Sequence, residues 1–179
     1  MPHAATVWTI GHSTRTADAL VHVLRAHEIE VVADVRRFPG SRRHPQFGMD
    51  ALAGRLAADG LDYAWLSRLG GRRRGDAGPE HQGWRNPSFR AYAAYTWTED
   101  FARGLEELLH IAEARRTTVM CSELLWWRCH RALIADVLRF LGMQVVHIVD
   151  EAPGTPHPYT SPARIVGGEL TYPAGDACC

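Results

Sequence analysis

The chain has 179 residues, 46% of them hydrophobic, and its 20 basic and 20 acidic residues cancel to a formal charge of zero. That length and apolar content predict one domain across residues 1–179, with a core that needs neither disulfides nor a structural metal; zero net charge gives no support to a chain that binds nucleic acid over its whole surface. No run of eighteen apolar residues is available to cross a bilayer, and MPHAATVWTIGHS lacks the basic and apolar regions of a secretory leader, so no membrane partner and a cytoplasmic location are expected.

Residues 5–10 (ATVWTI) are a short β-rich run. Residues 17–27 place Leu20, Val23, Leu24 and His27 on one helical face behind Thr16 as N-cap. Residues 30–35 (EVVADV) are apolar on both faces, as a central parallel strand must be. A short helix over 49–60, with Asp50 near its start and Gly60 past its end, leads to a third strand at 61–66 (LDYAWL). The stretch 67–89 is rich in Gly, Pro and Arg and reads as a long functional loop. Residues 96–116 form an amphipathic helix, with Thr96 and Glu99 as a capping box and Arg115 and Arg116 at the far end. A fourth strand (117–121), a helix closed by Gly142 (131–142), a fifth strand (143–150) and a hairpin about Gly167 and Gly168 (164–172) complete the chain. The alternation predicts an α/β fold: a mostly parallel sheet of about five strands with helices on both faces, plus a C-terminal hairpin.

Such sheets bind ligands at the C-terminal ends of their strands. There the sequence puts Gly11-His12-Ser13, then Asp34, Arg36 and Arg37, then Cys121, then His147 and Asp150. Cys121 ends a strand ahead of a helix start, where backbone N–H groups and the helix dipole lower a thiol pKa, and Arg128, His130 and Arg131 stand close in sequence. The alternative is an inert buried thiol. Cys129 reads as a resolving thiol, a second ligand or a packing residue. Cys121, Cys129, His130 and either His12 or His147 also make a tetrahedral N/S set for zinc or iron, although the C-x7-C-H spacing is not that of a zinc knuckle. Cys178 and Cys179 are expected to stay reduced rather than form a structural disulfide.

His12 is a candidate acid/base, Glu123 a candidate proton carrier, and Asp34 with Arg36 an internal ion pair. All 20 basic residues are arginine, which removes lysine chemistry from consideration. Between Arg36 and Arg90 the arginines outnumber the acidic residues Asp50, Asp59, Asp62, Asp76 and Glu80 by about two to one, marking an anion-facing surface. SRRHPQF (41–47), containing Arg42, and LGGRRRG (69–75) read either as phosphate-contacting loops, with Trp65, Trp84, Phe89 and Tyr92 available for stacking, or as solvated loops beside aromatics of the core. Trp126 and Trp127 read as the wall of an apolar pocket or as packing residues.

T-I-G-H-S at 9–13, D-V-R-x-x-P-x-S at 34–41, L-G-G at 69–71 and M-C-x-E followed by C-H-R at 120–131 together resemble the domain of unknown function 488 family over about residues 6–150, leaving 151–179 as an extension. The resemblance implies one site made of His12, Asp34, Arg36, Cys121, Glu123, Cys129, His130 and Arg131, and it implies no activity. Family members commonly carry a proline before C-H-R; Leu125-Trp126-Trp127 in this chain implies a pocket of different shape.

Three functional readings follow. The first is an enzyme whose Cys121 thiolate, with His12, Glu123 and His130 as acid/base groups, acts on a small anionic or nucleotide-like substrate bound by Ser13, Arg36, Arg42, Arg128 and Arg131. The second is a metal-dependent enzyme with iron or zinc on Cys121, Cys129, His130 and His147. The third is a nucleic-acid-binding module whose cysteines are structural.

Overall fold

The computed structural model describes residues 5–40 and 42–175. Cys178, Cys179 and Ser41 lie outside the described residues.

The apolar runs become strands because they are covered on both sides. The strands are β1 (Thr6–Gly11), β2 (Val31–Asp34), β3 (Asp62–Trp65), β4 (Thr117–Cys121), β5 (Gln144–His147) and β6 (Thr155–Pro156), in the order β3-β2-β4-β1-β5-β6. The first five are parallel, and β6 returns antiparallel along β5. The chain therefore builds a six-stranded sheet where about five strands were expected, and β5 stops at His147 rather than running to residue 150. The hairpin β7 (Arg164–Val166) and β8 (Glu169–Thr171) forms as the sequence predicts.

The helices are α1 (Ala17–Ala26), α2 (Met49–Ala58), α3 (Pro87–Tyr95), α4 (Glu99–Ala114) and α5 (Arg131–Phe140). Leu20, Leu24, Leu52 and Leu56 of α1 and α2 pack with Ile10, Val32 and Met120 on one face of the sheet. Tyr92, Phe101, Leu108 and Leu133 of α3, α4 and α5 pack with Val7, Ala33 and Val119 on the other. Each fully buried leucine contributes about 2–3 kcal/mol relative to exposure. Side-chain alternation along β4 sends Met120 to the α1–α2 face and Cys121 to the α3–α5 face, which decides the surroundings of the thiol.

The helix expected over 96–116 is α4, shorter at both ends, and a helix not expected from the sequence, α3, precedes it. Asn86 accepts from the Ser88 amide at 2.9 Å and Pro87 fills the first helical position, so α3 starts inside the stretch read as loop. Thr96 closes α3, its hydroxyl donating to Ala93 O at 2.6 Å. Thr98 caps α4 instead, accepting from the Phe101 amide at 3.3 Å.

Candidate active site

β1 and β4 end side by side, with Gly11 in register with Cys121. The pairing continues past the strands: His12 N donates to Cys121 O and Ser13 N to Ser122 O, each at 2.9 Å. The loop after Cys121 crosses directly over β1, and a Cβ at Gly11 would lie 1.8 Å from Glu123 O. T-I-G-H-S therefore needs its glycine for backbone approach, and Ser13 takes a left-handed conformation at φ 52° to follow the loop.

Cys121, Cys129 and His130 offer three side-chain atoms that lie within 4.8 Å of one another. His130 Nε2–H donates to Val35 O at 2.9 Å, a carbonyl that can only accept. This leaves His130 Nδ1 facing Cys121 Sγ at 4.0 Å. Gly71 makes room for the ring: a Cβ there would sit 2.7 Å from His130 Nδ1. The hydrogen bond from Cys129 pulls the Cys121 pKa well below that of an ordinary thiol, against the opposing effect of burial, and His130 and Arg131 add to the lowering. Cys129 is pushed the other way, by burial and by its bond to Cys121. The two thiols share one environment, and of the pair Cys121 is the one pulled toward the thiolate.

Arg131 polarises this pair from behind. Its backbone N and its Nε both donate to Cys129 Sγ at 3.3 Å, so the helix start and the guanidinium act on Cys129 rather than directly on Cys121, where the sequence placed them. The remaining donors reach Thr9 Oγ1 at 3.4 Å, Leu124 O at 3.2 Å and Glu123 O. Arg131 is 1% exposed with its donors spent internally, so it organises the site and does not face a substrate.

The chain of bonds extends away from the cavity. Thr9 Oγ1 meets His147 Nδ1 at 2.6 Å, His147 Nε2 meets His157 Nδ1 at 2.8 Å, and His157 Nε2 donates to Asp136 Oδ1 at 3.0 Å. Asp136 also accepts from Thr160 N, Thr160 Oγ1 and Tyr172 OH. Burial, with His157 and Arg131 close by, lowers the His147 pKa to about 3, so its ring is neutral and hydrogen-bonded to Thr9 Oγ1. His147 is therefore no partner of the cysteines. Its register explains why: β5 pairs His147 with Thr9, which lies two residues before Gly11 and one strand away from β4. Trp126 stacks on His147 at 4.3 Å.

Asp34 and Arg36 form the expected ion pair, buried, with Arg36 Nε 2.9 Å from Asp34 Oδ1 and Tyr63 OH donating to Asp34 Oδ2 at 2.6 Å. Arg36 NH1 reaches Phe47 O at 2.8 Å and His12 Nε2 at 3.3 Å. His12 Nδ1–H donates to Ser13 O at 2.9 Å, and its ring stacks on Phe47 at 4.1 Å. Burial, with the positive Arg36 adding to it, lowers the His12 pKa to about 4. At neutral pH its only lone pair is already facing a guanidinium. His12 orients Arg36, and His130 is the histidine on the thiol.

Cys121, Cys129 and His130 line a cavity of about 390 Å³ with Arg36, Arg37, Arg72, Arg128, Tyr92 and Glu123. Glu123 and Arg128 are exposed at its rim. Ser13 and Arg43 line an adjoining cavity of about 630 Å³, which Arg42, exposed on the same loop, does not. Among the expected stacking residues, Phe89 and Tyr92 line the site, Trp65 Nε1 donates to Arg36 O at 2.9 Å, and Trp84 packs on Phe89 and Tyr172. Sequence reasoning missed Thr9, Asp136 and His157, the space provided by Gly71, and the cavity residue Phe38; Arg72 lies in the loop read as phosphate-contacting. The available signals were an aspartate on the apolar face of α5 and the L-G-G motif.

A family model described as "Domain of unknown function DUF488" matches residues 16–138. No curated protein and no solved structure matches.

Proposed function

The chain belongs to the DUF488 family, whose description names no activity, and from its site we propose a cysteine-dependent enzyme, a transferase or hydrolase acting on a small anionic or nucleotide-like substrate. The observation that carries this reading is the commitment of His130 Nε2–H to Val35 O, which leaves Nδ1 facing Cys121 Sγ. Cys121 Sγ attacks an electrophilic centre in the 390 Å³ cavity while Arg37, Arg72 and Arg128 neutralise the substrate's anionic oxygens. As the bond to the leaving group breaks, His130 Nδ1 returns to it the proton taken from the thiol; the neutral His130 Nδ1 then takes the proton of an incoming water or acceptor hydroxyl, whose oxygen bonds to the group and expels Cys121 Sγ as thiolate. Reduced, unpaired thiols suit a reducing compartment, which favours the cytoplasm.

A second reading rests on the same three atoms. Two thiols and an imidazole within 4.8 Å of one another, the imidazole oriented by a backbone carbonyl, fit a zinc or iron ion that would supply Lewis-acid or redox chemistry in the cavity. Elemental analysis of anaerobically purified protein decides between them. Metal-free protein whose Cys121 is labelled by iodoacetamide at neutral pH supports the thiolate enzyme; stoichiometric zinc or iron lost in Cys121→Ser overturns it in favour of the metal.

A further inference from the structure

The Cys121 cavity has neighbours on both sides. The first, of about 740 Å³, is lined by Arg37, Arg72, Arg73, Arg74 and Tyr95; the second is the 630 Å³ cavity with Arg43 and Arg128. Phe38 and Arg72 line all three, so the cavities share walls rather than being scattered over the surface. Arg37 NH1 donates to Arg72 O at 2.8 Å and joins the two loops that carry them.

Arg25, Arg55, Arg68, Arg103, Arg115 and Arg116 each have a carboxylate partner. Among the described residues the arginines without one include Arg15, Arg42, Arg85, Arg90, Arg139 and Arg164 as well as Arg37, Arg43, Arg72, Arg73, Arg74 and Arg128; what sets the last six apart is that they line joined cavities. The acidic residues lining the three cavities are Asp76 and Glu123. In a chain of zero net charge, this uncompensated cation row is set against one face and follows an extended path.

Phe38 stands on that path with 66% of its surface exposed, and the Arg37 guanidinium lies 5.6 Å from its ring centroid. An aromatic face standing in solvent beside spaced guanidinium groups suits a ligand that brings both repeated negative charge and flat apolar faces. A small anion supplies only the first and fills only the middle cavity; the bases of a duplex are stacked on one another and present no free face. We infer that the substrate of the Cys121 site is a single strand of nucleic acid, its phosphates running along the arginines and a base stacked on Phe38, which delivers one nucleotide to the thiolate in the middle cavity. This rests on the thiolate reading above and specifies its substrate.

The test is fluorescence anisotropy of fluorescein-labelled single strands of about a dozen nucleotides, as RNA and as DNA, with Cys121→Ser protein so that no chemistry intervenes. Expected is binding that weakens with salt, log affinity falling against log salt with a slope of about −2 to −4 for three to six arginine–phosphate contacts. Phe38→Ala weakens binding about tenfold with the slope unchanged, Arg74→Ala lowers the slope by about one, and Arg103→Ala, whose guanidinium is paired with Glu99, changes neither. Inorganic polyphosphate binding as tightly as the strands, or Phe38→Ala binding as well as the parent, overturns the inference. Absence of salt-dependent binding to both RNA and DNA does the same. Iodoacetamide labelling of the wild-type chain reports on the thiolate independently: a reactive Cys121 without strand binding defeats the substrate and leaves the enzyme reading, whereas strand binding with an inert Cys121 does the reverse.

Discussion

The two edges of the sheet use arginine in opposite ways. At the N-terminal edge Arg115 meets Asp62 and, at 3.8 Å, Glu30, while Arg116 lies 3.9 Å from Glu28 and over the Trp8 ring. These pairs stand in solvent, where water and salt screen them and each is worth less than about 1 kcal/mol. At the C-terminal edge the charges are either sunk or left open. Arg131 is buried and spends its donors on a sulfur, a hydroxyl and two carbonyls, and the cavity arginines have no carboxylate among the described residues. One edge sets its arginines against carboxylates; the other leaves its cavity arginines without one among the described residues. The number of arginines says nothing about which edge is which; the position of the carboxylates does.

Substitutions break this contrast in a definite order. Arg131→Met leaves Glu123 O and Leu124 O without their buried donor, takes one of two donors from the Cys129 sulfur, and should cost about 3–5 kcal/mol in urea unfolding. Acid should act on the same edge. His12 and His147, with pKa values near 4 and 3 in the fold, take up protons near 6.5 when unfolded. Their contribution is complete above pH 6.5 and declines as pH falls from there toward 3, by about 2 kcal/mol per histidine at pH 5, so the urea midpoint should drop between pH 7 and pH 5. Gly71→Ala pushes a methyl against His130 Nδ1 and should raise the apparent pKa of Cys121 labelling by iodoacetamide by about one unit, with far-UV circular dichroism unchanged. Smallest of all, Arg115→Ala at the opposite edge should shift stability by less than about 1 kcal/mol, and less still in high salt.

How much of this was legible follows from what a sequence displays. β2 and β4 are covered on both faces, so they read as uninterrupted apolar runs, and Cys121 was found because it ends one of them. The helix α3 was missed because the glycines and arginines before it hide a valid start signal at Asn86-Pro87. Cys129 and His130 were placed correctly beside Cys121, since a short loop and a helix start leave few other positions. His147 was not, because strand order and register are non-local: nothing within residues 143–150 says that its neighbour is Thr9 on β1 rather than Cys121 on β4. Arg131 and Arg128, given the same substrate-binding role by the sequence, part company for a related reason. Three residues apart, they differ in that Arg131 opens α5 on its buried side and Arg128 ends an exposed turn, a difference set by packing rather than by composition.

On the proposed reading, Cys121 is a thiolate supported by Cys129 and by His130 Nδ1, which takes up the thiol's proton. The pH dependence of Cys121 labelling by iodoacetamide, read by mass spectrometry in the wild-type chain, Cys129→Ser and His130→Ala, tests it directly. The account predicts an apparent pKa well below the ordinary ~8.5 in the wild type, moving up in both variants. An ordinary thiol profile in the wild type, or a low one that neither substitution moves, would contradict it.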